Sequence, residues 1–178
     1  MRLKEYYQKE VMPKMKEKFS FSNDMQVPKL EKVVLNVGFG RHSKEKEYVA
    51  QVVKTLEDIT GQKPLLTKAK VSVSAFKVRE GMTIGARVTL RQQKMYDFLE
   101  KLLKVSFPRV RDFRGINAKS IDKTGCLTIG FKEQIAFPEI KAERIDHIHG
   151  LEVSIVADTK NYEEGLELFT LLGFPFKK

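Results

Sequence analysis

The chain has 178 residues, 42% of them apolar, which is enough to bury one sizeable core and short for two, so a single compact domain over 1–178 is expected. Its one cysteine, Cys126, excludes an internal disulfide, no apolar run approaches the roughly 18 residues of a membrane span, and Met1 to Ser20 carries six Lys or Arg without a signal-peptide core. These features indicate a soluble cytoplasmic protein, and the net charge of +10 indicates a polyanionic partner, nucleic acid or an anionic membrane surface, with a merely solvated basic face as the bland alternative.

Leu3, Tyr7 and Val11 recur every four residues and predict a short N-terminal helix, bent or interrupted at Pro13. Asn23 to Pro28 reads as a turn. "KLEKVVLNVGFG" then places Leu35, Val37 and Phe39 on one face of a strand and Val34, Asn36, Gly38 and Gly40 on the other. Ser43 precedes a charged helix start, and Tyr48, Val49, Val52, Val53, Leu56 and Ile59 keep helical spacing as far as the stop at Gly61. A second strand begins over Pro64 to Thr67.

From Ile84 to Arg91 the alternation is the cleanest in the chain. Ile84, Ala86, Val88 and Leu90 fit a core, while Gly85, Arg87, Thr89 and Arg91 point the other way. Met95, Phe98, Leu99, Leu102 and Leu103 mark a helix that should end before "SFPRVRDFRG", because Pro108 disfavours helical geometry at Phe107. Leu127–Phe131 and Leu151–Ala157 read as strands and Tyr162–Leu172 as a closing helix. Period-two alternation with polar outer faces predicts an α+β fold: an antiparallel or mixed sheet with helices packed on one side and the other side open.

Charge is concentrated within this plan. Met1–Gln62 has 12 basic and 9 acidic residues, Lys63–Lys123 has 15 and 5, and Thr124–Lys178 has 6 and 9, so the middle third carries the net charge. Its stretch "TKAKVSVSAFKVREGMTIGARVTLRQ" sets six cations against Glu80 alone, with Ser and Val alternating between them. Lys and Arg neutralise phosphates, and Ser, Thr, Asn and Gln bond the sugar hydroxyls and phosphate oxygens that folded RNA displays. Asn36, Gln62, Thr67, Thr89 and Arg91 are candidates of that kind, with local turn bonding as the alternative for Asn36 and Gln62.

Catalytic patterns are weaker. "VGFGRHS" follows a strand and precedes a helix, but Ser43 replaces the third glycine of a dinucleotide turn, and Glu57 and Asp58 lie within a helix. Gly38 and Gly40 then read as a tight turn or as room for another backbone, RNA included. "DHIHG" sets His147 and His149 two residues apart, with Asp146 and Cys126 as possible helpers, yet one cysteine and three histidines lack zinc-site spacing. Nothing fixes Glu133 and Glu139 as an acid/base pair. An enzyme is the weaker class, and no metal or cofactor is expected. A freestanding RNA chaperone or regulator is the alternative within the RNA-binding class.

Taken in order, "QVPKLEKVVLNVGFG", "ITGQKPLLTKAKVSVSAFKVREGMTIGARVTLR", "MYDFLEKLLKVSFPRVRDFRG", "GFKEQIAFPEI" and "LLGFPF" resemble the bacterial type of ribosomal protein L5, the 5S rRNA-binding family of the large subunit. The likeness is collinear from "YYQKEVMPKMKEKF" to the end. It departs at Gln92, where the family commonly has glycine after "VTLR", and over "KAERIDHIHGLEVSIVADTKNYEEG", which matches loosely.

The resemblance implies an α+β fold whose sheet faces 5S rRNA and helps anchor it in the central protuberance, beside the other ribosomal proteins there. Carried onto matching positions, it makes Asn36, Gln62, Thr89 and Arg91 the principal 5S rRNA contacts, with Gly38, Gly40, Thr67 and Arg87 completing the expected surface. The segment at about 70–83 resembles the loop that reaches P-site tRNA, through Lys70, Ser72, Ser74, Phe76, Lys77 and Arg79. Phe76 is expected to anchor this loop to the body rather than stack on a base, and Val71, Val73 and Val78 to hold its shape. A bridge to small-subunit protein S13 falls to Arg109, Arg111 and Arg114, or to the more acidic surface between Gln134 and Gly150.

Overall fold

Leu3, Tyr7, Val11 and Met15, four residues apart, are all buried, and one continuous helical segment, α1 (3–19), carries them. In a straight α-helix a four-residue repeat drifts by about 40° per step. The chain corrects the drift with a π turn at Tyr7–Val11, between α-helical Leu3–Tyr6 and Met12–Phe19. The widened turn contains Lys9, whose carbonyl the Pro13 ring would otherwise strike, so the expected interruption at Pro13 does not occur.

The same device recurs in α3 (92–109), where Gln92–Lys101 is α-helical, Leu102–Ser106 widens into a π turn, and Phe107–Arg109 resumes the helix through Pro108. Phe107 itself is helical, at φ −59° and ψ −44°. The expectation that this helix stops before Pro108 is therefore corrected, for the reason that holds at Pro13.

The computed structural model describes residues 2–140 and 147–177. Its five strands are β1 (Leu30–Gly38), β2 (Leu65–Lys68), β3 (Thr83–Leu90), β4 (Leu127–Phe131) and β5 (Leu151–Ala157). They form one open antiparallel sheet in the order β2-β3-β1-β5-β4, and with α1, α2 (Lys46–Thr60), α3 and α4 (Tyr162–Leu171) make an α+β fold. No helix among the described residues is long and apolar enough to cross a membrane.

The chain divides into two compact units, each discontinuous in sequence. The first comprises Met1–Val33, Leu90–Ile129 and Ser154–Lys178. Its core includes Met15, Leu99, Leu102, Leu168 and Phe169, and the Tyr7 hydroxyl donates to the Pro28 carbonyl at 2.8 Å. Burial pushes the Tyr7 hydroxyl up to about 12, with Tyr96 adding to the effect. Gly165 of α4 lies directly on the backbone of Gly125, an approach that no residue with a Cβ could make.

The second unit comprises Val34–Thr89 and Gly130–Val153. Buried Val52, Leu56 and Ile59 of α2 join Leu35 and Val37 of β1 and Ala86 and Val88 of β3 in its core. Helix α2 ends at Gly61, whose φ of 63° and amide bond back to the Glu57 carbonyl form a left-handed cap. The Ser43 hydroxyl donates to the Gly40 carbonyl at 2.9 Å, and Glu45 precedes the first turn of the helix.

Candidate nucleic-acid interface

Period-two alternation on β1 and β3 sorts side chains as the sequence implies. On β1, Leu35 and Val37 are buried while Asn36 and Gly38 are exposed; on β3, Ala86 and Val88 are buried, Arg87 is exposed and Thr89 is half-buried. Asn36 lies inside a regular strand, so turn bonding does not account for it. Gly38 and Gly40 have no left-handed backbone, and a Cβ at either would meet nothing within 4 Å. They therefore leave bare surface and do not accommodate another segment of this chain. The dinucleotide reading also fails, because α2 begins only at Lys46, behind Glu45 and with Glu47 in its first turn.

Gly85 departs from the expected pattern. It is buried, because the Thr67 hydroxyl oxygen and the Val37 carbonyl would each stand 2.9 Å from a Cβ there. Thr67, its antiparallel partner on β2, is accordingly half-buried and covers Gly85. One step along, Leu65 pairs with Arg87, which sets a leucine that is 60% exposed beside an exposed guanidinium.

Gln62 joins this group from the loop after α2. Its Nε2 donates to the Thr89 carbonyl at 3.4 Å, and its amide donates to the Thr60 hydroxyl at 3.3 Å. Local bonding thus positions Gln62 and brings together two of the predicted contacts.

Arg91 belongs to the first unit. Its guanidinium donates to the Glu31 carboxylate at 3.2 Å, and this bond, with Lys32 nearby, holds the Glu31 carboxyl below the usual carboxylate range. Both partners are exposed, so the pair is weak and a phosphate can compete for the guanidinium.

Between β2 and β3 the chain forms a hydrogen-bonded extension of the hairpin. Ala69 donates to the Met82 carbonyl at 2.8 Å and Gly81 to the Ala69 carbonyl at 3.0 Å. Further out, Val73 and Val78 exchange amide bonds of 2.9 and 3.2 Å, and Lys77, at φ 54°, closes the tip by donating to the Ser74 carbonyl at 3.0 Å. Lys70, Ser72, Ser74, Lys77 and Arg79 are all exposed. The Ser72 hydroxyl accepts the Glu80 amide at 2.9 Å and so shapes the loop.

Two expectations for this loop are corrected. Phe76 is 77% exposed and does not anchor it, because the backbone ladder already fixes the tip and directs this side chain outward. Val71, at 69% exposure, plays no packing role either.

Arg109, Arg111 and Arg114 are exposed at the end of α3 and in the turn after it, where Asp112 has φ 51° and Phe113 stacks on Phe107 at 5.0 Å. The alternative acidic surface falls largely on residues 141–146, outside the described residues. Gln134 is buried, Glu139 is half-buried, and Glu143 and Asp146 lie outside the described residues.

Comparison with known proteins decides the family. The profile described as "Ribosomal protein L5" matches residues 23–79, and the profile for the C-terminal part of the same ribosomal family matches 83–176. A "Large ribosomal subunit protein uL5" of Desulfatibacillum aliphaticivorans is 53% identical over 176 residues, covering 99% of this chain and 98% of that one. Proteins of the same name from Latilactobacillus sakei and Brevibacillus brevis are 52% and 49% identical over 177 residues, each covering 99% of this chain and 98% of theirs. The chain belongs to the ribosomal protein L5 family.

Two exposed side chains of this L5-family chain escaped sequence reasoning. Leu65 falls in the predicted second strand, and only the β2–β3 register shows it flanking Arg87. Arg41, just after the glycines, comes near Phe76 through the fold; its place beside two bare glycines was the available signal.

The histidines lie around one tyrosine. All three gather on Tyr48, with ring-centre distances of 4.7 Å for His42, 5.5 Å for His147 and 6.3 Å for His149. Among the described residues no group of three His, Cys, Asp or Glu is placed to hold a metal ion. The buried Gln134 side chain fastens this corner, donating to the His147 carbonyl at 2.9 Å and accepting the His149 amide at 2.8 Å.

Proposed function

We propose that this chain is the 5S rRNA-binding protein of the large ribosomal subunit. As a member of a family of structural ribosomal proteins it is not an enzyme, and its place is the ribosome, in the cytoplasm. It holds 5S rRNA in the central protuberance, meets P-site tRNA through the loop between β2 and β3, and meets S13 of the small-subunit head through Arg109, Arg111 and Arg114.

One observation carries the 5S rRNA reading. Asn36 and Gly38 of β1 and Arg87 of β3 stand exposed on strands whose other faces are buried, and the space over Gly38 is bare of protein. An amide, a bare backbone and a guanidinium on rigid strands suit an RNA sugar–phosphate surface read by shape. Gln62, tethered to Thr89, extends the polar set. Arg91 adds a cation whose present partner, Glu31, exchanges readily for phosphate.

The test is binding of the purified protein to 5S rRNA and to a length-matched unrelated structured RNA across a salt series. Wild type should prefer 5S rRNA at high salt. Arg87→Ala and Arg91→Ala should each weaken 5S rRNA binding about tenfold and lower the salt slope by about one counterion. Equal binding of both RNAs by wild type would withdraw the 5S rRNA assignment and leave a general RNA binder.

A further inference from the structure

Phe76, 77% exposed, forms one wall of an open groove of about 540 Å³ that Gly40, Arg41, Lys77, Val78 and Ile84 also line. The groove has an aromatic wall, an aliphatic floor at Val78 and Ile84, two cations and no acidic side chain among its lining residues. Gly40 keeps its rim open, since a Cβ there would meet nothing within 4 Å. Leaving a phenyl ring in water forgoes its burial, and the hydrogen bonds across Val73 and Val78 hold the tip that presents it. The fixed tip also removes much of the ordering cost of binding.

Aromatic wall and flanking cations together describe a ligand with a planar apolar face and an anionic edge. We propose that this groove seats one unpaired nucleobase of a folded RNA, stacked on Phe76, with the adjoining phosphates on Arg41 and Lys77. A base inside a duplex keeps its neighbours and cannot present its face, so the site selects loops and extruded bases. The inference rests on the reading of the β2–β3 loop as an RNA contact and adds what the loop recognises. Val71 and Val73, exposed on the same loop, would also suit insertion into an anionic bilayer; the groove, lined by an aromatic ring and two cations, favours the nucleotide.

The chain contains no tryptophan, so Phe76→Trp introduces a single reporter at the stacking position. Its fluorescence is followed on titration with a single-stranded oligoadenylate, a blunt RNA duplex of equal phosphate number, a tRNA transcript, and vesicles containing anionic phospholipid. Phe76→Leu is compared with wild type for affinity, and thermal unfolding checks that the exposed substitutions leave the fold intact.

Oligoadenylate should quench the tryptophan and the duplex should not. Phe76→Leu should weaken oligoadenylate binding about tenfold or more with an unchanged salt slope, because stacking releases no counterions. If tRNA fails to quench while oligoadenylate does, the nucleobase site stands and only the tRNA assignment falls. Equal quenching by the duplex, unchanged oligoadenylate affinity in Phe76→Leu, or a blue shift with vesicles and no quenching by RNA would overturn the proposal.

Discussion

Gly38 closes β1 with an ordinary backbone and open space where a side chain would stand. Valine at this position gains strand propensity and loses the entropy penalty of glycine, so the fold should be unharmed or stabilised by about 0.5–1 kcal/mol. If an RNA backbone passes over this point, Gly38→Val should nevertheless weaken 5S rRNA binding tenfold or more. Urea unfolding with RNA affinity measured on the same sample separates the two effects, and undiminished affinity would remove Gly38 from the interface. Gln92 presents the opposite case: at φ 53° it occupies a conformation that favours glycine. That geometry gives a physical meaning to the departure after "VTLR", for a residue with a Cβ is strained there by about 1 kcal/mol. Gln92→Gly should raise the urea midpoint or leave it unchanged, whereas Gln92→Val, β-branched at positive φ, should lower it by at least as much as that strain.

At the scale of elements, the corner built by α2 and the segment around Gln134 contains a pH-sensitive part. His149 is 5% exposed, and neither ring nitrogen makes a hydrogen bond. Burial pushes its pKa below the usual histidine value, and the His147 backbone opposes the shift only in part. The folded pKa is the lower one, so as pH falls through about 6.5 the unfolded chain takes up a proton before the folded chain does. Stability should therefore fall as pH drops below that point, by at most about 1.4 kcal/mol per pH unit from this residue, until the folded pKa is reached. In His149→Phe that increment should vanish from denaturation midpoints measured between pH 8 and 5; an identical pH profile in both proteins would contradict the assignment. Any packing penalty would appear as a constant offset. What could be read beforehand follows the same physics. Period-two alternation exposed both faces of β1 and β3, and Gly61 marked the end of α2, because these signals are local. The π turns of α1 and α3 were hidden because proline was weighed against an ideal helix, while the fold widens the preceding turn to admit it. Burial of Gly85 and exposure of Phe76 depend on the β2–β3 register and on bonds across the loop, which no window of sequence contains.

For the whole molecule, the proposed function gives different partners to different basic surfaces. The basic middle third supplies Arg87 and the loop cations of the second unit, and also Arg109, Arg111 and Arg114 of the first. Charge alone would have both groups contribute to every RNA contact, because unspecific phosphate binding scales with the number of cations. The proposed division of labour predicts a dissociation between them. Replacing Arg109, Arg111 and Arg114 together by alanine should leave the preference for 5S rRNA at high salt unchanged, while crosslinks from this turn to S13 in intact ribosomes disappear. Gly38→Val should do the reverse, weakening 5S rRNA binding of the free protein while crosslinks from the arginine turn persist in those ribosomes that incorporate it. The triple substitution removes three positive charges, so a modest uniform loss of affinity for every RNA at low salt is expected and is not diagnostic. High-salt selectivity is the deciding quantity, because there the screened charges contribute little and shape recognition dominates. Loss of that selectivity in the arginine variant would make the turn part of the 5S rRNA surface and leave the subunit bridge without its proposed residues.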